Sequence, residues 1–440
     1  MITRKLMLKV LVPLALIVLM VSTVYAAPPT VLWSDPVGTN DVTLSKDGNY
    51  VAVASGNQLR FYGKGSSTPI WTSTAPSGTV ESVAISANGD CVFVGTILPG
   101  GGDVAFWNNA RSLTGTPSPT WSSVNLNGPV SRRCLDISDD GNYVTACGTG
   151  QYVFYWANAR MRSTSAETYS WRSPSLGTAE CVALSSDGNY VATGGAMYVA
   201  YWKNAKTLTA NPQNPDWKST TPTDIIVDIA ISDDGNYVAA AGTQGASPVY
   251  YWANAKILSG NPSTTWDSAA GVDFSSLDMS SDGDSVIAGG IGPSAANEGV
   301  YFWAGAKGLS GTPNPTWIYP TQNGVRDVAI DVAGDFMVAV QSIEPPHRVF
   351  FFDRATLKWT FDLDNEGLVL SISGDGGTLA IGTSAEETGY LLDTGYRTRT
   401  PPVGGIVIPT NKLEIVAPFA ALAGLIVAVS AVVAVKKRRD

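Results

Sequence analysis

Histidine is nearly missing from this 440-residue chain, with His347 standing alone. One imidazole cannot build a multi-histidine metal site. Serine catalysis through a histidine base would depend on that one loop residue, within EPPHR, and no G-x-S-x-G elbow supports it. Cysteine is sparse as well: Cys91, Cys134, Cys147 and Cys181 complete the set. None sits in a C-x-x-C spacing, so a zinc knuckle is excluded. Acceptors of the Asn-x-Ser/Thr type are absent, because NPS at 261–263 and NPT at 314–316 carry the forbidden proline. Charge is low, at 15% of residues.

The two ends hold what long hydrophobic runs there are. Residues 1–26 combine a basic start (Arg4, Lys5, Lys9), an apolar stretch from Val10 to Val24 and small residues before Ala27, the pattern of a secretory signal peptide. Residues 415–435 carry no charge and as a helix would extend about 31 Å, enough to cross a bilayer. Lys436, Lys437, Arg438 and Arg439 follow at once and hold that end in the cytoplasm, so the body is expected outside the cell as a single-pass protein of the plasma membrane. This divides the chain into a leader (1–26), an ectodomain (27–394), a linker (395–414), a membrane helix (415–435) and a basic tail (436–440). Without the two ends, 21 basic residues face 36 acidic ones, a net charge of −15. Nucleic acid is thereby disfavoured as a partner.

Glycine and tryptophan are plentiful and spaced. SKDGNYV (45–51), SDDGNYV (138–144), SSDGNYV (185–191) and SDDGNYV (232–238) are near copies, and the turn glycine recurs at 48, 89, 141, 188, 235, 283, 334 and 376. Trp33, Trp71, Trp121, Trp171, Trp217, Trp266, Trp317 and Trp359 keep step with it. A period of this length marks a repeat architecture. Within the fifth copy, 224–232, 236–242, 248–254 and 263–268 read as four short strands, β-branched or aromatic and bounded by turn chemistry. Asp-Gly closes the first hairpin: the aspartate accepts backbone N–H bonds and the glycine takes positive φ.

Third strands such as VFYWAN (153–158) and VYYWAN (249–254) are apolar at consecutive positions, so both faces need cover from neighbouring copies. A four-stranded sheet flanked by its own kind is a propeller blade, and the 13 tryptophans are expected to pack between blades. VLWSD (31–35) is a fourth strand with no blade of its own, while the last copy ends after LVLSIS, TLAIGTS and TGYLLDT with no fourth strand. The two fragments complete each other. The fold class expected is therefore all-β: an eight-bladed β-propeller closed by an N-terminal strand, followed by a C-terminal single transmembrane helix.

The S-x-D-G turns with regularly spaced tryptophan resemble the WD-repeat and quinoprotein-like (YVTN-type) β-propellers, and the basic-tailed anchor after PPVGG (401–405) is similar to that of archaeal cell-surface proteins. The resemblance covers residues 31–394. It implies the propeller but leaves function open, since such folds host enzymes, scaffolds and adhesins. The vicinal cysteine pair associated with quinoprotein dehydrogenases is absent here, and no cofactor constellation replaces it, so no cofactor is expected.

Topology separates two faces. The Asp-Gly face carries loops that are similar from copy to copy and, with the chain leaving toward the bilayer there, is expected to be membrane-proximal. The opposite loops vary, and varied loops on a rigid ring are where recognition is built. Candidate contact residues there are Leu98, Gln151, Met197, Gln244, Asn297, Glu298, Glu344, His347, Glu386 and Glu387, with an extracellular protein or glycan as partner. Asp41, Asp228 and Asp327 occupy equivalent positions in first strands, near one mouth of the central channel, where a weak cation site is conceivable. Pairing Ile137 with Val144 and Leu135 with Ala146 puts Cys134 opposite Cys147, either as a disulfide or as buried thiols, with Cys181 one blade on as another partner. Asp362, Asp364 and Glu366 alternate as at the start of a calcium loop, without the distal bidentate acid. The reading favoured is a non-catalytic binding or surface-scaffold module; a propeller enzyme of quinoprotein-like oxidoreductase or hydrolase type is the alternative.

Overall fold

A computed structural model describes residues 28–398, apart from 75–77, 124, 125, 127, 149, 150, 165, 166, 244–247, 270, 293–296, 342, 343 and 385–388. The expected leader at 1–26 and membrane span at 415–435 lie outside the described residues, as does everything from 399 onward. No helix among the described residues is long and apolar enough to cross a membrane.

Eight four-stranded antiparallel sheets make up the described chain. Their first, innermost strands are Asp41–Leu44, Thr79–Ile85, Leu135–Ile137, Ala179–Leu184, Ile225–Ile231, Asp273–Met279, Val325–Ile330 and Gly367–Ile372, and the blades are numbered 1 to 8 in that order. Blade 5 is typical, with Ile225–Ile231, Tyr237–Thr243, Val249–Ala253 and a fourth strand of only two residues, Trp266–Asp267. Blade 8 takes its outer strand from the other end of the chain: Thr30–Asp35 pairs antiparallel with Gly389–Asp393, Trp33 opposite Leu391. The eight-bladed ring and its closure by the N-terminal strand are thus as the spacing predicts.

Seven of the eight turns build the same small network, with Asn88 in place of the aspartate in blade 2, while in blade 7 Asp331 accepts the N–H groups of Asp335 and Phe336 itself. In blade 5 the Ser232 hydroxyl donates to Asp234 Oδ1 (2.8 Å) and accepts the Tyr237 N–H (3.0 Å), while Asp234 Oδ1 also accepts the Asn236 N–H (2.9 Å). All eight turn glycines take φ between 69° and 82°, a region closed to most side chains. A Cβ on Gly235 would collide with the ring of Tyr190 in blade 4. The tyrosine of one DGNY motif is therefore the floor on which the next glycine rests.

The turns also hand bonds to one another. Ala87 N–H donates to Asp139 O (3.1 Å), Asp139 N–H to Ser186 O (2.8 Å), Asp233 N–H to Ser281 O (2.8 Å), Ser281 N–H to Val332 O (3.1 Å) and Val332 N–H to Gly374 O (3.3 Å). Gly374 N–H then donates to Lys46 O (2.8 Å) and Asp47 N–H to Ala87 O (3.2 Å), which carries the series through the seam between the last blade and the first. The repeated motif thus reverses its own hairpin and supplies the link to the next.

Tryptophan seals the flanks. Trp217 stacks on Tyr201 of its own blade (5.1 Å), lies 5.9 Å from Trp252 of the next, and donates its indole N–H to Ala255 O there (3.0 Å). Trp71, Trp121, Trp171 and Trp266 repeat the arrangement onto Ala110, Ala159, Ala205 and Ala306. Those alanines open short 3-10 turns (Ala110–Ser112, Ala159–Met161, Ala205–Thr207, Ala255–Ile257, Ala306–Gly308) that follow the third strands. The loops beyond them lie along the previous blade's outer strand, as where Lys218 N–H donates to Gly260 O (2.8 Å), covering edges that would otherwise be open.

The ordered unit runs four residues past 394, where the linker was expected to begin. Tyr396 packs on Phe336 and Phe351, and Thr398 donates its N–H to Asp375 O (2.7 Å) and its hydroxyl to Asp331 Oδ2 (2.7 Å). Asp331 and Asp375 belong to the turns of blades 7 and 8, so the chain reaches residue 398 at the Asp-Gly face.

Candidate functional site: the central channel and the varied face

First strands from all eight blades surround a channel whose larger cavity is about 660 Å³. A second cavity of about 360 Å³ lies toward the Asp-Gly turns and shares Asp136, Asp278, Met279, Ile330 and Ile372 in its wall.

An innermost strand has no further strand to accept its inner N–H groups, and acids of the preceding blade take that part. Asp41 Oδ2 accepts Val83 N–H (2.9 Å), Asp228 Oδ2 accepts Leu277 N–H (2.8 Å) and Asp327 Oδ2 accepts Leu370 N–H (2.7 Å). Two residues further along, Asp136 Oδ2 accepts Leu184 N–H (2.7 Å) and Asp278 Oδ2 accepts Ile330 N–H (2.9 Å). Each of these carboxylates except Asp327 also accepts the N–H of the residue after it. The three acids expected near a channel mouth lie in the halves of their strands nearer the varied face, in the channel wall, where they act as stitches between blades, with Asp228 and Asp327 only 8% exposed. Aligning the first strands on the turn serine places acids at two alternate positions, which is the signal that would have found Asp136 and Asp278.

Burial pushes the carboxyls of Asp41, Asp136 and Asp278 up to about 7, against the pull of the N–H bonds they accept. Asp228 is raised by burial too, although Arg133 opposes the shift. Arg133, from blade 3, bridges the channel to Asp228 (3.2 Å) and Asp327 (3.1 Å) and donates to Ser275 O (2.5 Å). Its φ of 65° is a left-handed conformation that only surrounding structure maintains. Near the Asp-Gly mouth Lys46 of blade 1 makes a similar bridge, 3.0 Å from both Asp139 and Asp233. Sequence reasoning missed both cations, because their partners lie several blades away.

The described residues of the varied face do not converge on one point; they spread over blades 2, 3, 4, 6 and 7. Leu98 exchanges backbone bonds with Gly101 in a tight turn. Gln151 is exposed at φ 97° and accepts the Ser175 hydroxyl (2.6 Å). Met197 is 57% exposed at φ 62°, its N–H held by Asp224 O of blade 5 (2.9 Å). Asn297 donates its side-chain amide to Gly271 O (2.6 Å), Glu298 O accepts Thr321 N–H (3.2 Å), and Glu344 O accepts the Asn323 amide (2.7 Å). His347 uses its carbonyl to accept Leu363 N–H (2.9 Å), and its buried Nδ1 has no partner among the described residues. Gln244, Glu386 and Glu387 lie outside the described residues.

The calcium alternative is not assembled. Asp362 pairs with Arg348 (2.5 Å), Asp364 lies within reach of the Tyr390 hydroxyl (3.5 Å), and Glu366 contributes its carbonyl to Ser384 N–H (2.9 Å). No group of three His, Cys, Asp or Glu among the described residues is arranged to hold a metal.

For the cysteines, the hairpin register is the one expected, Ile137 opposite Val144 and Leu135 opposite Ala146, with Cys147 N–H donating to Cys134 O (2.8 Å). Of the two alternatives this structure carries the buried thiols: no bond joins Cys134 to Cys147, and Cys91 and Cys181 are unbonded as well. All four are fully buried, where small thiols pack as apolar groups. Burial pushes the Cys91 thiol up to about 12 and holds Cys147 and Cys181 well above the ordinary thiol range. Native protein is expected to resist alkylation by iodoacetamide at neutral pH, and denatured, unreduced protein to take up four equivalents by mass spectrometry. Two equivalents would show a disulfide instead.

No family model matches the sequence, and no curated protein does either. Among solved structures, the C-terminal WD40 domain of Sif2 superposes with a TM-score of 0.64 at 13% identity, over 84% of this chain and 99% of that one. At that identity the likeness speaks for fold alone: what this chain shares with it is the WD40-type β-propeller, built here from eight blades.

Proposed function

We propose that this protein is a non-catalytic binding propeller, held outside the cell by a C-terminal membrane helix, that engages a protein or glycan through the varied loops. The observation that carries the reading is the contrast between the two faces. On the Asp-Gly face the turn acids are matched in the chain blade after blade: Asp187 with Lys206 (3.3 Å), Asp234 with Lys256 (3.2 Å), Asp282 with Lys307 (2.7 Å), Asp335 with Arg354 (2.8 Å) and Asp375 with Arg397 (3.3 Å). Such a face is already satisfied by its own neighbours. Among the described residues the opposite loops share no such pattern, and they expose Met197 and Gln151 on a rigid support. Arrival of the chain at the Asp-Gly face, and the WD40-type fold, whose rigid ring presents loops for protein contact, support the same reading. A tether continuing from that face would turn the varied loops away from the membrane.

The test couples a glycan array with cross-linking on intact cells, using the wild type and a variant with Leu98, Gln151, Met197, Asn297, Glu298 and Glu344 changed to alanine. These side chains lie at loop positions, so the variant is expected to melt like the wild type and to bind its partner at least about tenfold more weakly, the loss of roughly 1.4 kcal/mol or more. Full binding by a folded variant would remove the varied face from consideration. Absence of the propeller from the cell-impermeant labelling fraction would remove the extracellular placement.

A further inference from the structure

Arginine in this structure is almost always engaged. Arg60, Arg111, Arg133, Arg160, Arg162, Arg348, Arg354 and Arg397 are in ion pairs, and Arg172 lies 4.3 Å over the Tyr152 ring. Among the described arginines, Arg132 and Arg326 alone make no hydrogen bond, ion pair or ring contact, and both line the larger channel cavity of about 660 Å³. Arg132 precedes the first strand of blade 3 and Arg326 is the second residue of the first strand of blade 7. In a ring of eight these blades stand opposite each other, and both residues lie at the ends of their strands nearer the varied face.

The acids of the channel form no ion pair with these two cations, although Arg132 pulls down the buried Asp41 carboxyl across the channel. Asp228 and Asp327 are engaged by Arg133, and Asp41, Asp136 and Asp278 are each committed to two backbone N–H groups. Glu81 is half-buried, and its carboxyl is raised by burial while Arg132 pulls it back, yet no hydrogen bond or ion pair joins the two. Arg133, immediately after Arg132, is fixed by two carboxylates and one carbonyl, so Arg132 stands on a backbone with little freedom. A planar guanidinium presents a fork of donors that matches carboxylate or phosphate oxygens.

We infer that the channel mouth on the varied face is an anion site in which Arg132 and Arg326 receive a ligand bearing carboxylate or phosphate groups, either a free small anion or an acidic side chain of a docked partner. The site rests on the channel and not on the loops, so it and the loop-mediated reading fail separately.

Thermal melting at constant ionic strength tests the site with citrate, inorganic phosphate and a glutamate-rich peptide against chloride. The wild type is expected to show a saturable rise in Tm with at least one probe. A rise with citrate or phosphate identifies a free anion; a rise with the peptide alone identifies a partner-borne group. The rise is expected to vanish in Arg132→Gln/Arg326→Gln, to need at least about tenfold more ligand in either single variant, and to persist in Arg354→Gln, whose arginine is exposed and remote from the channel. No shift with any probe, or an equal shift in the double variant, overturns the assignment.

Discussion

A chain lacking residues 28–35 is expected to lose its single cooperative melting transition and to be cut by trypsin at concentrations the intact protein withstands. The deletion removes the outer strand of blade 8, which pairs along Gly389–Asp393, stacks Trp33 on Tyr62 of blade 1 at 5.0 Å, and donates the Trp33 indole N–H to Lys64 O (3.1 Å). It also removes Asp35, which accepts the Tyr62 hydroxyl (2.5 Å) and pairs with Arg60 (3.7 Å). Both sides of the seam between blades 8 and 1 are therefore exposed at once, and a blade deprived of a neighbour cannot cover its apolar flank. Trp33→Ala keeps the strand and loses the ring, for which about 3 kcal/mol is expected. Differential scanning calorimetry of the two variants separates a lost contact from a lost closure; an unchanged transition in the deletion would mean that the ring does not depend on this strand.

The second large effect is a dependence on pH that runs opposite to ordinary acid denaturation. Burial raises Asp41, Asp136 and Asp278 from 3.8 to about 7. Between those values the folded chain binds protons that the unfolded chain does not, so stability increases as pH falls through 7 and is lost as it rises back. The Tm is expected to climb by several degrees from about pH 8 to about pH 5. The gain ends near the ordinary carboxylate range. Burial also acts to raise Asp187, Asp234 and Asp282, but their N–H, hydroxyl and lysine partners outweigh it and hold them below 3.8, so further acid removes stability. Changing Asp41, Asp136 and Asp278 together to asparagine should flatten the rise between about pH 5 and pH 8, and lower Tm overall. An amide accepts with one atom only, and an N–H left facing its NH2 group costs about 1–3 kcal/mol. A Tm that falls steadily from pH 8 to about pH 5 in the wild type would contradict the buried-carboxylate account.

The sequence was most readable where one repeat suffices to make the feature. A serine, an aspartate, a glycine and a tyrosine at fixed spacing form their turn from local bonds, and the tryptophan counts at the two ends of the chain predict how the last blade closes. The Cys134 to Cys147 register also follows from one hairpin. What stayed hidden depends on a neighbour. Asp136 looks like any strand residue until the N–H of Leu184 comes alongside from the next blade, and Lys46 looks like a solvated turn lysine until blades 3 and 5 bring Asp139 and Asp233 to it. Arg133 bridges the channel from a left-handed backbone that nothing in SRRC announces. The docking of 395–398 was hidden for the same reason, since Tyr396 finds its pocket between Phe336 and Phe351 of another blade.

The outer strand of blade 8 has a further meaning when the order of synthesis is considered. Thr30–Asp35 leaves the ribosome first among the strands, and its partner Gly389–Asp393 leaves last. At roughly 5–20 residues per second the early segment, with Val31 and Leu32 exposed even in the finished protein, waits on the order of 20–70 s with no strand to pair with. A premature stop anywhere before codon 389 would leave that segment without its mate and every blade already made in an unclosed array.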